Sequence, residues 1–209
     1  YIFGELTIKK IDYVAIDING LAYKIFISLK TFETLKEIGE DEKVILVIGG
    51  SLGAKSINEA VIKNWEKIIA DEKIKLFWGT GKDNFEEDTY RMKNFGNSVV
   101  KPYFNNVADI MSASDLVICR AGASTISELI QLEKPSILIP YDFVGQKENA
   151  DVLEYVNGAK IFTNETADKA VEEAMTLVKQ DEMLEFMKEN IRKLKKGNAA
   201  DTIIQEMGL

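Results

Sequence analysis

The chain has 209 residues, enough for one or two domains with a sizeable core. Its formal net charge of −8 argues against a surface that grips polyanions over its whole extent, although a local basic patch is compatible with it. With 0 histidines and 1 cysteine, the sequence excludes a Ser-His-Asp triad, a histidine base, a histidine-held zinc and an internal disulfide, which leaves acid–base work to carboxylates, lysine or tyrosine.

The first forty or so residues are β-rich. "YIFGELTIKK", "DYVAIDING" and "LAYKIFISL" read as an antiparallel meander, with Asn19-Gly20 as a hairpin turn because both residues tolerate positive φ. "KTFETLKEIG" reads as a short helix or an extended connection ending at Gly39. Such a meander is too small for a comfortable core of its own.

From Lys43 onward strands alternate with helices. "KVILVIGG" is a buried strand running into glycines, and "AKSINEAVIKNWEKIIA" places Ile57, Val61, Trp65, Ile68 and Ile69 at helical spacing. "IKLFWGTG" is the next strand, followed by a polar helix from about Asn84 to Asn94, the short strand "SVVKPYF" and the short helix "VADIMSAS". "DLVICRAG" and "PSILIPY" are strands separated by the helix "STISELIQLE". "KENADVLEYVNG" is a helix ending at Gly158, "AKIFT" a last strand, and the remainder helical. Near-continuous apolar strands alternating with helices predict a Rossmann-like α/β fold, a parallel sheet with helices on both faces. No apolar run is long enough to span a bilayer, no signal peptide is visible, and Cys119 reads as a small buried hydrophobe in a reducing compartment.

Ligands of such sheets bind beyond the carboxyl ends of the strands. Three of those ends carry unusual residues. In "VIGGSLGAKSIN", Gly49, Gly50 and Gly53 flank Ser51 just before a helix start, but the run is neither a Walker loop nor G-x-G-x-x-G, and a tight strand–helix turn explains it equally. In "LVICRAGASTISEL", Gly122, Ala123, Ser124 and Thr125 sit where helix N–H groups favour an anion; Ser124 or Thr125 could equally be plain N-caps. Glu128, one turn on, either complements the helix dipole or accepts from the vicinal hydroxyls of a ribose, and Arg120 is by default a solvated or ion-paired surface residue. In "IPYDFVGQKENA", Gln146 and Asn149 are either ordinary helix-start residues or amides matched to sugar hydroxyls. Taken together the three turns favour a diphosphate-sugar nucleotide. No two aspartates are separated by a single residue, so there is no Asp-x-Asp clamp, and no metal site is apparent.

"GGSLGAKSIN", "DLVICRAGASTISEL" and "GQKENA", in this order and spacing, resemble the C-terminal half of the MurG family of glycosyltransferases, from about Lys43 to the chain end. The resemblance implies one half of a two-domain GT-B enzyme of peptidoglycan synthesis. That family moves N-acetylglucosamine from UDP-N-acetylglucosamine (UDP-GlcNAc) to undecaprenyl-linked muramyl pentapeptide, on the cytoplasmic face of the bacterial inner membrane, with no metal or other cofactor. Carried over, it puts Ser51 near the diphosphate, the backbone of Tyr103 and Phe104 at uracil, Ala123, Ser124 and Thr125 at the phosphates and sugar, Glu128 on the ribose, and Gln146 and Asn149 around the sugar. Leu52, Gly79 and Gly145 depart from the family's common glutamine or histidine, which weakens the inference on sugar selectivity most.

Residues 1–40 instead resemble the start of RuvA, a Holliday-junction protein, where the segment forms part of an OB-type barrel. The family's acceptor-binding domain and proposed base have no counterpart here, so no catalytic residue is assigned and the chain is expected to be inactive alone, a fused, remodelled or engineered gene product. The lipid-linked acceptor is then a partner only if that domain is supplied. The alternative reading is a non-catalytic fusion or interaction module whose partial RuvA-like, Holliday-junction-type segment acts as a nucleic-acid element or a self-association surface; of these, specific nucleic-acid binding is not expected.

Overall fold

The computed structural model describes residues 5–10, 12–18, 20–27, 42–92, 94–96, 98–141 and 145–195. The first strands, Glu5–Lys9 (β1), Tyr13–Ile18 (β2) and Leu21–Phe26 (β3), form an antiparallel sheet in the order β1-β2-β3. Ile18 pairs with Leu21, so the hairpin turn is two residues long, as expected; Gly20 takes φ 86° and its N–H donates to Asp17 at 2.8 Å. Asn19, the helix expected near residues 30–39, and the helix expected beyond residue 195 lie outside the described residues.

The second sheet holds Lys43–Ile48 (β4), Ile74–Gly79 (β5), Val99–Lys101 (β6), Leu116–Cys119 (β7), Ser136–Leu138 (β8) and Ala159–Ile161 (β9). Its order is β6-β5-β4-β7-β8-β9 and every pairing is parallel. The chain therefore builds outward from β4 in one direction, then returns to β4 and builds in the other. The reversal lies between β4 and β7, whose carboxyl ends open the crevice where such sheets take ligands.

The strands read as apolar runs because each feeds two cores. Ile45, Val47, Ile74, Leu76, Trp78, Leu116 and Ile118 face one; Val44, Leu46, Phe77, Val117, Cys119 and Leu138 face the other. The first face is covered by helices Lys55–Lys63 (α1), Trp65–Ala70 (α2), Ala167–Leu177 (α7) and Asp181–Arg192 (α8). The second is covered by Val107–Ala113 (α4), Ala123–Gln131 (α5) and Gln146–Tyr155 (α6), and Phe85–Tyr90 (α3) follows β5.

The long helix expected after the Gly-rich turn is broken. Asn64, between α1 and α2, has φ −96° and ψ 4°, and its buried amide donates to the Ala60 carbonyl at 3.1 Å and to the Asp168 carbonyl at 3.3 Å. An asparagine that satisfies backbone carbonyls from within a helix competes with the helical ladder, which ends there. Periodicity could not register this, because Ile57, Val61, Trp65 and Ile68 stay buried on both sides of the break. The polar helix expected over Asn84–Asn94 is confined to α3.

The two sheets meet at the amino ends of the parallel strands. The Lys75 ammonium, 3% exposed, lies 2.9 Å from Asp12, and Lys10 pairs with Glu42 at 3.1 Å. The antiparallel sheet is thus fastened at the end of the strands opposite the crevice.

One buried polar network stiffens the turn after β5. Asn58 on α1 accepts from the Trp78 indole at 3.2 Å and donates to the Thr80 carbonyl at 2.8 Å and to Asp88 at 2.7 Å. Burial pushes the Asp88 carboxyl from 3.8 up to about 6, against the lowering effect of the Asn58 bond. An acid with a raised folded pKa contributes stability that is full below its unfolded pKa and is lost as pH rises through the folded one. The parent should therefore lose stability relative to Asp88→Asn between pH ~4 and ~7, measured as the difference in urea unfolding free energy at the two ends. A difference that does not change with pH would remove the titration of Asp88.

Candidate functional site

Four chain segments leave the carboxyl ends of the parallel strands and meet around the β4/β7 reversal. After β4, residues Gly49 to Ala54 make a tight turn closed by a Gly53 N–H to Gly50 carbonyl bond of 3.1 Å. Gly53 adopts φ 86°, and a Cβ there would stand 2.0 Å from the Thr80 carbonyl, so only glycine lets the turn lie against the one after β5. Ser51 and Leu52 project from its tip and are exposed. Helix α1 then starts at Ala54, a residue with no side chain to cap it, and carries no acid in its first turn.

After β7 comes the Arg120-Ala121-Gly122 turn and α5. Gly122 is the N-cap, no side chain caps the helix, and the first turn holds no acid. Of the two readings open for Ser124 and Thr125, plain N-capping is absent: neither hydroxyl caps this helix. Ala123 and Ser124 are exposed, Thr125 is half-buried, and the first N–H groups of α5 face the crevice with the helix dipole behind them. Glu128 is exposed on the next turn, and its carboxylate together with burial pushes the Cys119 thiol beneath it up to about 12, so that group stays a neutral thiol. Cys119 is 1% exposed, the buried hydrophobe expected of it.

After β8 the chain reaches Tyr141, and α6 starts at Gly145 (φ 65°), again without a side-chain cap. Here the two candidate amides already have internal work. Gln146 Oε1 accepts from the Tyr141 N–H at 3.1 Å, and Asn149 Nδ2 donates to the Ala121 carbonyl at 3.1 Å. Asn149 thereby pins α6 to the turn before α5. Both are half-buried, and the orientation of each carboxamide is set by these bonds.

The segment after β6 completes the rim. Thr80 and Gly81 N–H groups donate to the Lys101 and Pro102 carbonyls at 3.1 and 3.0 Å. Tyr103 is 45% exposed, whereas Phe104 is 4% exposed and its ring packs 6.1 Å from Phe77. Phe104 can therefore offer a ligand its backbone but not its ring. A Cβ at Gly79 would meet that ring at 3.5 Å, an ordinary van der Waals contact.

Arg120 is not the surface residue its type suggests. It is 7% exposed. Its guanidinium donates to the Ile139 carbonyl at 2.7 Å, to Asn164 Oδ1 at 2.8 Å and to Ser56 Oγ at 2.9 Å, and its Cζ lies 3.8 Å from the centre of the Tyr141 ring. Ser56 in turn donates to Asn164 at 2.7 Å. Ser56, Tyr141, Asn58 and Asn164 are the site-forming residues that sequence reasoning passes over. Ser56 follows the Gly-rich turn directly and could have been included; Asn164 and Tyr141 carry no local signal. A shallow groove of about 500 Å³ shares Ser56 and Asn164 with this cluster, and both of its basic groups are already paired, Arg91 with Glu59 at 2.8 Å and Lys63 with Asp168 at 2.6 Å.

A six-stranded parallel sheet covered by helices on both faces, with its strand order reversing between β4 and β7, defines a Rossmann-like α/β domain. The family model "Glycosyltransferase family 28 C-terminal domain" matches residues 44–206, and the chain belongs to that family. Residues 1–49 match "RuvA N terminal domain". The UDP-N-acetylglucosamine–N-acetylmuramyl-(pentapeptide) pyrophosphoryl-undecaprenol N-acetylglucosamine transferase of Fusobacterium nucleatum is 46% identical over 196 residues, covering 92% of this chain and 53% of the relative. Among solved structures, Acinetobacter baumannii MurG superposes with a TM-score of 0.68 at 24% identity, over 81% of this chain and 50% of that one. The C-terminal CMP-Kdo binding domain of Acinetobacter baumannii WaaA gives 0.59 at 14% identity, over 75% and 91%. The chain spans about half the length of the curated relatives it matches.

Gly122 offers a test of the crevice. Its φ of −65° suits any residue, and an added Cβ would meet only Thr125 Oγ1, at 3.8 Å. Gly122→Ala should leave urea stability within about 0.5 kcal/mol of the parent. The methyl group would stand in the space before the helix start, so UDP affinity by calorimetry should fall. Unchanged affinity would place the ligand elsewhere.

Proposed function

We propose that this chain is the UDP-GlcNAc-binding half of a glycosyltransferase that transfers N-acetylglucosamine to undecaprenyl-pyrophosphoryl-muramyl pentapeptide, the step from lipid I to lipid II of peptidoglycan synthesis. The observation that carries the reading is the open, uncapped start of α5 at Gly122–Thr125, with Glu128 exposed one turn further on. The free N–H groups and dipole suit a diphosphate, and a carboxylate one turn away suits the two hydroxyls of a ribose. Ser51 on the neighbouring turn adds a hydroxyl beside the phosphates, the Tyr103–Phe104 backbone flanks the uracil, and Gln146 and Asn149 face the sugar. The activity for which the relatives are named supports the choice of donor and acceptor.

The chemistry of transfer needs the acceptor hydroxyl held at the sugar carbon and relieved of its proton. On this reading both tasks belong to an acceptor-binding domain, so the chain binds donor without turning it over. No helix among the described residues is long and apolar enough to cross a membrane, and action at the cytoplasmic membrane face comes through the lipid-linked acceptor.

Calorimetry should detect UDP-GlcNAc binding, with UDP alone retaining much of the affinity; no heat from either at millimolar concentration sinks the proposal. Glu128→Ala should weaken UDP by roughly 1–3 kcal/mol, the worth of charged hydrogen bonds, and Thr125→Ala by less because the helix N–H groups remain. Equal UDP affinity in Glu128→Ala and parent would take Glu128 out of the site.

A second role belongs to the antiparallel sheet. Among the described residues β1 and β3 are its two edges, and β3 carries three exposed large apolar side chains, Leu21 (59%), Tyr23 (44%) and Phe26 (73%), beside the exposed Lys24. Open apolar edges pair. We infer self-association there rather than specific DNA binding. Sedimentation should show a dimer that Leu21→Lys with Phe26→Lys dissociates; a monomeric parent rejects it, and tight anisotropy-detected binding of four-way junction DNA would favour a nucleic-acid role instead.

A further inference from the structure

A basic residue in a nucleotide-diphosphate motif invites the assumption that it neutralises phosphate. The geometry of Arg120 points elsewhere. Its guanidinium is turned inward from the end of β7, and the groups it holds come from the ends of three other strands: Ser56 after β4, Ile139 and Tyr141 after β8, and Asn164 after β9. The planar fork fits this set of acceptors, two neutral oxygens on Nη1 and a hydroxyl on Nη2, with the aromatic ring stacked on its face.

The element fastened most directly is Tyr141. Its ring lies on the guanidinium, and its N–H holds Gln146 Oε1 at 3.1 Å. Fixing that oxygen fixes the opposite, Nε2 end of the same carboxamide, which is the end left to meet a ligand. Gln146 opens α6, and α6 is tied to the β7 turn by Asn149. Gln146 is thus oriented through Tyr141 and the guanidinium beneath its ring, and Asn149 through the Ala121 carbonyl, whereas the start of α5 is built by backbone alone.

We propose that Arg120 is a positioning residue for the sugar end of the donor, acting through Tyr141 on Gln146, and not a phosphate ligand. This rests on the donor-binding reading above. The two roles separate in the pattern of affinities. A phosphate ligand strengthens UDP and UDP-GlcNAc alike, and a lysine that keeps the charge retains part of its effect. A positioning residue affects the sugar nucleotide selectively, and lysine, lacking the fork, does not replace it.

The test is calorimetry of the 209-residue chain with UDP and with UDP-GlcNAc, for the parent, Arg120→Lys and Tyr141→Ala. Both variants should weaken UDP-GlcNAc about fivefold more than they weaken UDP, the size expected from one misplaced hydrogen-bonding amide. Tyr141 is 37% exposed, so Tyr141→Ala keeps the question answerable if the buried Arg120 substitution prevents folding. Equal weakening of the two ligands by Tyr141→Ala, or no weakening, overturns the positioning role while leaving donor binding intact. A parent that binds neither ligand overturns the donor-binding reading, and this inference with it.

Discussion

Both faces of the parallel sheet are sealed. β4, β7 and β8 run between two apolar cores, so polar chemistry has nowhere to emerge along them except at their ends. At the carboxyl ends every segment must turn, and each turn exposes backbone N–H groups at a helix start. The reversal of strand order between β4 and β7 gathers those starts into one crevice. The character of the site, backbone donors with few charges, follows from that burial before any particular side chain is considered.

What the crevice then needs is rigidity, because turns built from glycine and alanine do not hold themselves. Two devices supply it. Gly53 and the neighbouring Gly81 let two turns pack backbone to backbone, with Asn58 and Asp88 satisfying the polar groups buried underneath. Arg120 joins the opposite half, holding oxygens from three other segments at 2.7–2.9 Å. A buried guanidinium is costly unless it is hydrogen-bonded, and Nη1 and Nη2 of Arg120 meet three oxygens.

Much of this was legible in the sequence. The apolar runs gave away the sheet because strand burial leaves a local, period-independent signal, and the three strand-end motifs marked the crevice because glycine, hydroxyl and amide residues are out of place beside buried strands. The break at Asn64 was not legible, since it depends on a carbonyl of Asp168, 104 residues away. The role of Arg120 was hidden for the same reason: its partners Ser56 and Asn164 lie 64 and 44 residues off. At α5 the sequence leaves a cap and a ligand role open for the hydroxyl residues, and only the position of Gly122 as the N-cap residue shows that neither hydroxyl caps the helix. Local pattern reveals which groups are present; only the folded chain shows which of them are already spoken for.

The antiparallel sheet is anchored by Asp12 to Lys75 and by Lys10 to Glu42, at the amino ends of the strands. From Lys75 to the end of β5 at Gly79 is a span of roughly 13 Å of extended chain. A load applied to the small sheet, whether by a second copy or by a change of sequence, therefore reaches the crevice only along strands clamped on both sides by packed cores. The small sheet and the crevice thus sit at opposite ends of the parallel strands, with both packed cores between them.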